Sequence, residues 1–403
     1  MTEQANPDRE PLMSRKRVVL DRWLRYALTI FAAVASVACP GFVWAQSDAP
    51  QTPADAEADR VAEQIADSLP EPYRFRIVWN NDGSFFNPFG NDDRHYSNGT
   101  QFEFASQPEW ARDLARWTPG GDFYGEQELR TAGGFLAGHQ LYTPEQLTVA
   151  APLPDDRPHA SYLYGGFFWQ RDNLGGPPNS GGPDGIPTLD HFELQFGVAG
   201  EGALGEPIQR TVHDTFSGDE PNGWDNQNRT EGVIQGVIRK DWRLEPGPVA
   251  TPLGNLEWQA IPSLRARVGT AFIDGEVGGL VRVGVGLPDD FGPGGLFRVP
   301  SATGLSPAYS EEGRFSAYVF GRASGRAVGH NLFLGGSLFR NNQVVVEPER
   351  FVGEVEAGLA VRYEIEAFFA EVTWSVVANT EEFEGQDGGN EFGNLSLNLG
   401  CTF

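Results

Sequence analysis

The chain ends in FGNLSLNLGCTF, residues Phe392–Phe403, where apolar and polar side chains alternate after Asn394. Successive side chains of a β-strand point to opposite faces, so this pattern predicts a strand with one apolar and one polar face. The apolar set is Leu395, Leu397, Leu399, Cys401 and Phe403, and the polar set is Ser396, Asn398, Gly400 and Thr402. In a soluble sandwich the apolar face would cover a core, whereas in a membrane barrel it would meet lipid while the polar face lines the lumen.

Runs with the same period recur from Tyr73 onward. In GGLVRVGVGL, residues 278–287, Val281 and Val283 share one face and Arg282 lies on the other. Segments of about ten alternating residues between Gly, Pro, Asp and Asn clusters are typical of outer-membrane barrels. The other runs lie near Arg74–Trp79, Asn98–Ser106, Arg130–Tyr142, Ala160–Gln170, His191–Gly200, Glu231–Trp242, Leu256–Ala271, Arg314–Gly321, His330–Phe339, Glu354–Tyr363 and Ala367–Val377. Including the last strand this makes twelve or thirteen, and because closure favours an even number we predict an all-β, closed antiparallel barrel of twelve strands.

Other features favour the barrel over the sandwich. The last strand ends on the aromatic Phe403, as in the assembly signal of outer-membrane barrels, so we expect the barrel-assembly machinery as a partner during biogenesis. The 50 glycines suit the close packing and bends of a curved wall. Cys39 and Cys401 are the 2 cysteines, and they predict no disulfide in a mature exported chain. Long connections such as 171–188 and 287–312 are expected on the outer face.

The first 45 residues have the features of a cleaved signal peptide. A basic region is followed by the apolar run YALTIFAAVASVACPGFVWA, which Pro40 and Gly41 interrupt before a small-residue exit at Ala45. The alternatives are an uncleaved membrane anchor and a lipoprotein acylated at Cys39. The basic residues are Arg15, Lys16, Arg17, Arg22 and Arg25.

The remainder lacks any run of ~18 apolar residues that would form a spanning helix. Export then leaves the periplasm or the outer membrane of a Gram-negative-type bacterium, and the strand pattern favours the outer membrane. We expect a signal peptide at 1–45, an acidic periplasmic linker at 46–72, and a transmembrane barrel with the catalytic site at 73–403. The formal net charge of -25 argues against nucleic acid as a partner.

Oxygen-bearing side chains are concentrated in NNDGSFFNPFGNDDRHYSNG, residues Asn80–Gly99. Asn81 and Asp82 end one predicted strand, and Asp93, Arg94, Ser97 and Asn98 begin the next, so a hairpin would bring their polar side chains together. Calcium takes about six to eight oxygen ligands, and the supply here suits it. The alternative is an ordinary polar hairpin loop, because turns prefer the same residues.

His213 is the histidine with the densest polar surroundings. Gln209 lies four residues before it, and Asp219 and Glu220 follow it by six and seven residues. Histidine titrates near neutral pH and suits a general base, which a carboxylate can orient. The alternative is a loop histidine in contact with solvent.

Six motifs and the chain end carry a resemblance to a known family. The motifs are NNDGSFF, DDRHYSNG, GHQLYTP, DRPHASYLYGG, GVAGEGALGEPIQRTVH and PNGWDNQ, in this order, and the end is EEFEGQ followed by FGNLSLNLGCTF. From about Phe75 to Phe403 the chain resembles the outer-membrane lipid A deacylase family of the LpxR type. The resemblance implies a twelve-stranded outer-membrane barrel that removes the 3′-linked acyloxyacyl chain of lipid A in a calcium-dependent reaction. Lipid A, or lipopolysaccharide, and outer-membrane lipids would be its partners.

The resemblance assigns roles to individual positions of the first motifs. The family's Asn-Asp pair falls on Asn81 and Asp82, and its threonine falls on Ser97, where serine keeps the hydroxyl. Ca²⁺ would be held near Asn81, Asp82 and the segment from Asp93 to Ser97.

The later motifs carry the catalytic assignments. The family's glutamine and histidine fall on Gln209 and His213. Its glutamate aligns with Asp219, whose shorter side chain leaves Glu220, one residue away, as an alternative partner for the imidazole. His159 stands where an aromatic residue is expected in the family.

The mechanism implied is ester hydrolysis. His213 would take a proton from water, or from Ser97 if the reaction passes through an acyl-enzyme, and Gln209 would position a water or a carbonyl. We favour water as the nucleophile, because nothing in the sequence places Ser97 within reach of His213. The alternatives are an outer-membrane phospholipase, whose Ser/His motif the chain does not match, and a non-enzymatic porin or structural barrel.

Overall fold

A computed structural model describes residues 72–82, 95–118, 130–173, 186–216, 220–251, 254–296, 298–302, 313–340, 345–365 and 367–402. These residues belong to one compact unit, Leu69–Phe403. The predicted signal peptide, nearly all of the predicted linker, and the candidate residues Asp93 and Asp219 lie outside the described residues.

Twelve long strands and one short strand form the sheet. The long strands are β1 (Tyr73–Asn81), β2 (His95–Ser106), β3 (Arg130–Thr143), β4 (Ala160–Asp172), β5 (Thr188–Ala199), β6 (Glu231–Trp242), β8 (Gly254–Gly269), β9 (Phe272–Val285), β10 (Arg314–Asn331), β11 (Phe351–Ile365), β12 (Phe368–Asn379) and β13 (Asn390–Cys401). The short strand β7 (Val249–Thr251) pairs with β8. The α-helices within the described residues are α1 (Glu109–Trp117), α2 (Gly205–Phe216) and α3 (Leu332–Gly335).

Two pairings close the sheet into a barrel. β1 pairs antiparallel with β13 from Tyr73↔Cys401 to Asn81↔Gly393. β6 pairs with β8, so every long strand has two antiparallel neighbours. The predicted closed antiparallel barrel of twelve strands is therefore confirmed.

The strands alternate between an apolar outer face and a polar lumen. In β9, Val277, Val281 and Val285 are exposed, whereas Glu276 and Arg282 are buried inside. An outward apolar band of this kind is what a bilayer requires of a barrel. Among the described helices, none is long and apolar enough to cross a membrane.

One predicted strand is absent. The run His330–Phe339 was expected to be a separate strand, but β10 continues from Arg314 to Asn331 and then turns into α3. The Asn331 side chain accepts a hydrogen bond from the backbone N–H of Phe333 at 3.0 Å and caps this helix. Because a local cap competes with the strand ladder, the alternation in this stretch misleads.

The two ends of the barrel carry different connections. We call the end where β1 begins and β13 ends the terminal end, and the opposite one the site end. Because strand directions alternate, β4 and β9 end, and β5 and β10 begin, at the terminal end. The position of the long connections 171–188 and 287–312 on the outer face stays a prediction.

Part of the β9–β10 connection enters the lumen, and we call its described residues, Pro288–Leu296 and Arg298–Ala302, the plug. Lumen side chains from several strands donate hydrogen bonds to its backbone carbonyls. They are Arg74 to Ser301 (2.7 Å), Arg239 to Val299 (2.8 Å), Arg322 to Pro293 (2.9 Å), Arg282 to Pro288 (2.8 Å) and Gln170 to Pro300 (3.0 Å). These bonds satisfy backbone groups that would otherwise be buried without partners.

Apolar contacts complete the seating of the plug. Phe291, Leu296 and Val299 are buried, and Phe291 packs in a cluster with Ile261 and Leu280 of the lumen wall. The lumen is thus filled by protein near the terminal end, which does not suit the porin alternative.

We expect the purified protein to show no open-channel conductance in planar bilayers, because the plug occupies the lumen. Replacing Pro288–Ser301 with a short Gly-Ser linker should give discrete conductance steps. Wild-type protein that conducts as well as this variant would show that the plug leaves a path for solutes.

Candidate active site

Ser97 lies at a β-bulge in β2. The register between β2 and β3 shifts between Tyr96 and Asn98, so Ser97 has no opposite residue in β3. Its Oγ hydrogen bonds to Oγ1 of Thr143, the last residue of β3, at 2.5 Å. Bulges re-aim side chains in this way next to functional sites. His95, just before the bulge, has a left-handed backbone (φ 64), a second local departure from strand geometry.

The end of β1 joins Ser97 through two hydrogen bonds. The Asn81 Nδ2 donates to the Ser97 carbonyl at 2.9 Å, and the backbone N–H of Asp82 approaches the same carbonyl at 3.5 Å. Asp82 is 1% exposed. Three of the four residues predicted to bind metal, Asn81, Asp82 and Ser97, are thus adjacent.

These residues suit a calcium ion by their chemistry. They offer a carboxylate, an amide oxygen and a hydroxyl, which are the hard oxygen donors that Ca²⁺ prefers. Because the Asn81 Nδ2 donates a hydrogen bond to the Ser97 carbonyl, the Asn81 Oδ1 points away from that carbonyl. Within the described ranges, no group of three or more His, Cys, Asp and Glu side chains is placed to hold a metal ion, so an ion here would need amide, hydroxyl and carbonyl oxygens in addition to the Asp82 carboxylate.

Helix α2 supplies the second half of the site. Gln209 and His213 are one helical turn apart, so their side chains lie on the same face. Both are buried (2% and 9% exposed), while the neighbouring Ile208 and Asp214 are exposed. The predicted pair therefore lies on the packed side of the helix, and the reading of His213 as a solvent-exposed loop histidine is wrong.

The packed side of α2 faces the outside of the barrel wall at β3 and β4. Ser161 of β4 is in phase with the exposed Leu163, and Thr143 of β3 is in phase with the exposed Phe135, so both point outward. Both are nevertheless fully buried. A Cβ on Gly205 would lie 2.7 Å from the Ser161 Cβ, so the helix reaches the wall because glycine stands there.

Strand β3 connects the two halves. Its Thr143 bonds to Ser97, and two pleats back His139 donates from Nε2 to the carbonyl of Ala203 at 2.7 Å, just before α2. The oxygen cluster and the imidazole-bearing helix therefore lie at the same end of the barrel and on neighbouring strands β1–β4.

A buried tryptophan, which the sequence did not single out, holds Gln209. The Trp224 Nε1 donates to the Gln209 Oε1 at 2.9 Å, and its ring packs on His159 with centroids 4.9 Å apart. Burial lowers the pKa of His159 to about 4, so this imidazole is neutral at pH 7. His159 thus acts here as the aromatic residue expected at its position. In the sequence, the PNGWDNQ motif contains Trp224 and could have identified it as a candidate site residue.

The position of Glu220 bears on which of the two candidate acidic residues, Asp219 or Glu220, is the partner of His213. Its carboxylate is 73% exposed and accepts a hydrogen bond from Arg210 at 3.1 Å. Arg210 also binds Glu206, at 3.0 Å, one turn earlier on α2. Glu220 is therefore engaged in a surface ion pair, and Asp219 remains the candidate from the sequence alignment.

The sequence matches one protein family over most of its length. The family described as "Outer membrane protein LpxR" matches residues 30–401. Among curated proteins, none matches this chain.

Solved structures agree with the fold. LpxR from Salmonella typhimurium is 16% identical with a TM-score of 0.57, and the match covers 82% of this chain and 100% of that one. The β domain of the Bordetella autotransporter BrkA is 10% identical with a TM-score of 0.40, covering 83% of this chain and 100% of that one. The first match supports the barrel fold, and the second is too distant to support more.

We expect Gly205→Ala to loosen α2 from the wall. The added Cβ would lie 2.5 Å from the Trp224 ring and 2.7 Å from Ser161. Overpacking costs about 1–3 kcal/mol, so hydrogen exchange of the α2 amides should become roughly tenfold faster. Gly232→Ala, with nothing within 4 Å of its Cβ, is the matched control. Equal α2 protection in both variants would contradict the close packing.

Proposed function

The chain belongs to the LpxR outer-membrane protein family, and from this premise we propose that it is a calcium-dependent lipid A 3′-O-deacylase. It would hydrolyse the ester that attaches the 3′-linked acyloxyacyl chain. The observation that carries the proposal is the placement of α2. This helix holds Gln209 and His213 at the outer wall of β3 and β4, and β3 is bonded to Ser97 of β2 through Thr143, while Asn81 and Asp82 lie next to Ser97 at the end of β1.

Asn81, Asp82 and Ser97 would hold the calcium ion, together with Asp93. When bound, calcium polarises the ester carbonyl and offsets the negative charge that develops on its oxygen. The low exposure of Asp82 supports this role, because a buried carboxylate needs a compensating cation or hydrogen bonds.

His213 acts as the general base. Its imidazole takes a proton from water as the water oxygen attacks the ester carbonyl carbon. The bond between the acyl carbon and the sugar oxygen then breaks, and the imidazolium gives its proton to that oxygen, so the products are the free acyloxyacyl acid and a sugar hydroxyl. Asp219 would orient the ring and stabilise its charged form.

Water is favoured over Ser97 as the nucleophile. The Ser97 Oγ is committed at 2.5 Å to Thr143, and its backbone carbonyl is bonded by Asn81. In this arrangement Ser97 is a fixed oxygen ligand rather than a hydroxyl poised beside a base.

The substrate would stay in the bilayer during the reaction. Between the site and the terminal end, the outer wall presents apolar side chains to lipid, among them Phe102, Phe135 and Leu163. Acyl chains can lie along this surface while the ester group reaches the polar side chains at the site end of the barrel. A phospholipase would use the same wall, so only the products distinguish the two enzymes.

The first test is His213→Ala, with lipid A from cells expressing each variant measured by mass spectrometry. Wild type should remove one acyloxyacyl mass. The variant should lose about 10²–10⁴-fold in rate, because it lacks the general base. His330→Ala, at the same end of the barrel, is the control. A folded His213→Ala protein that still deacylates would exclude this residue as the base, and a lysophospholipid product from wild type would favour the phospholipase.

The second test concerns the metal. Chelation should abolish deacylation and added Ca²⁺ should restore it. Asp82→Asn keeps the side-chain shape but removes its charge, so it should need more Ca²⁺ for half-maximal rate. Asp225→Asn, at an exposed position of the 3-10 turn Trp224–Asn226, should match wild type. Full activity under strict chelation would contradict a calcium site.

A further inference from the structure

The hydrogen bond from Trp224 determines which way the Gln209 amide faces. An indole N–H can only donate, so the atom at 2.9 Å from Trp224 Nε1 must be the amide oxygen. The Nε2 is the other arm of the planar amide and is therefore turned away from the indole. This one hydrogen bond thus selects one of the two orientations of the Gln209 amide and gives its Nε2 donor a defined direction.

That donor has no acceptor of its own. Gln209 is 2% exposed, and within the described part of the chain its Nε2 has no hydrogen-bond partner. A buried N–H without an acceptor is unfavourable, so such a group requires a reason. Its place on the buried face of α2, one turn before His213, suggests that the acceptor arrives with the substrate.

We propose that Trp224 is a positioning residue that fixes the Gln209 amide so that its Nε2 donates to the ester carbonyl oxygen as that oxygen becomes negative. This inference rests on the proposed ester hydrolysis and specifies the part that Gln209 takes in it. A donor held in place before the reaction stabilises the developing oxyanion without reorganisation.

The surroundings of Trp224 hold its ring in place. It is 2% exposed and packs on His159, and Gly205 leaves the space that the ring edge occupies. Gly223, just before it, has φ +96, a backbone conformation that favours glycine. Each of these features restricts the position of the indole.

A double-mutant cycle tests the proposal. Trp224→Phe keeps an aromatic ring but removes the N–H, so the Gln209 amide can rotate, and kcat should fall about tenfold with KM unchanged. Gln209→Ala should lower kcat by about 10²-fold, as for the loss of one oxyanion donor. If Trp224 acts through Gln209, the double variant should be no slower than Gln209→Ala alone. A tenfold cost of Trp224→Phe that persists in the Gln209→Ala background would overturn the proposal.

Two further variants complete the design. Gln209→Glu keeps the length and can still accept from Trp224, but it has no N–H to donate, so kcat should fall as far as in Gln209→Ala. Wild-type kcat in Gln209→Glu would overturn the donor role even if the Trp224 variant failed to fold. Trp117→Phe, on α1 and 90% exposed, is the control and should match wild type.

The outcomes separate this inference from the proposed function. If wild type hydrolyses lipid A and the cycle is additive, only the role of Trp224 fails. If wild type with Ca²⁺ leaves lipid A intact, the proposed function fails, and the inference fails with it.

Discussion

Closure of the sheet is the constraint on which the rest of the structure depends. In hydrocarbon no water is present to satisfy a free strand edge, so every backbone N–H and C=O must pair within the sheet. The β1–β13 and β6–β8 pairings meet that requirement and turn the strands into a continuous wall. On such a wall, side chains of neighbouring strands hold fixed positions, which is what a site assembled from four strands and a helix requires.

The plug stabilises the barrel from inside the lumen, whereas α2 forms part of the candidate site outside it. The plug fills the lumen through arginine–carbonyl hydrogen bonds, so the interior serves to hold the barrel together. On the outer face, Thr143 of β3 bonds to Ser97 at the bulge, and glycine at position 205 lets α2 approach Ser161 of β4. A substrate that never leaves the membrane can meet groups placed there.

The sequence predicted the wall well, because period-two alternation is a local property of each strand. It failed at Asn331, where a local helix cap ends the strand although the alternation of the sequence continues. Motif resemblance found Ser97 and His213, but their surroundings depend on tertiary packing. The partnership of Ser97 with Thr143 needs the bulge, and that of Gln209 with Trp224 joins residues fifteen apart across a turn.

The central claim is that one cation site and one imidazole share the outer wall at the site end. Mn²⁺ prefers oxygen ligands similar to those of Ca²⁺, and its unpaired electrons broaden nearby nuclear resonances. The direct measurement is therefore the NMR spectrum of protein labelled at its 6 histidines, titrated with Mn²⁺. Our account predicts that the signals of His213 and His95 broaden first, while that of His191 in the lumen persists. Broadening of His191 with His213 unaffected would contradict it.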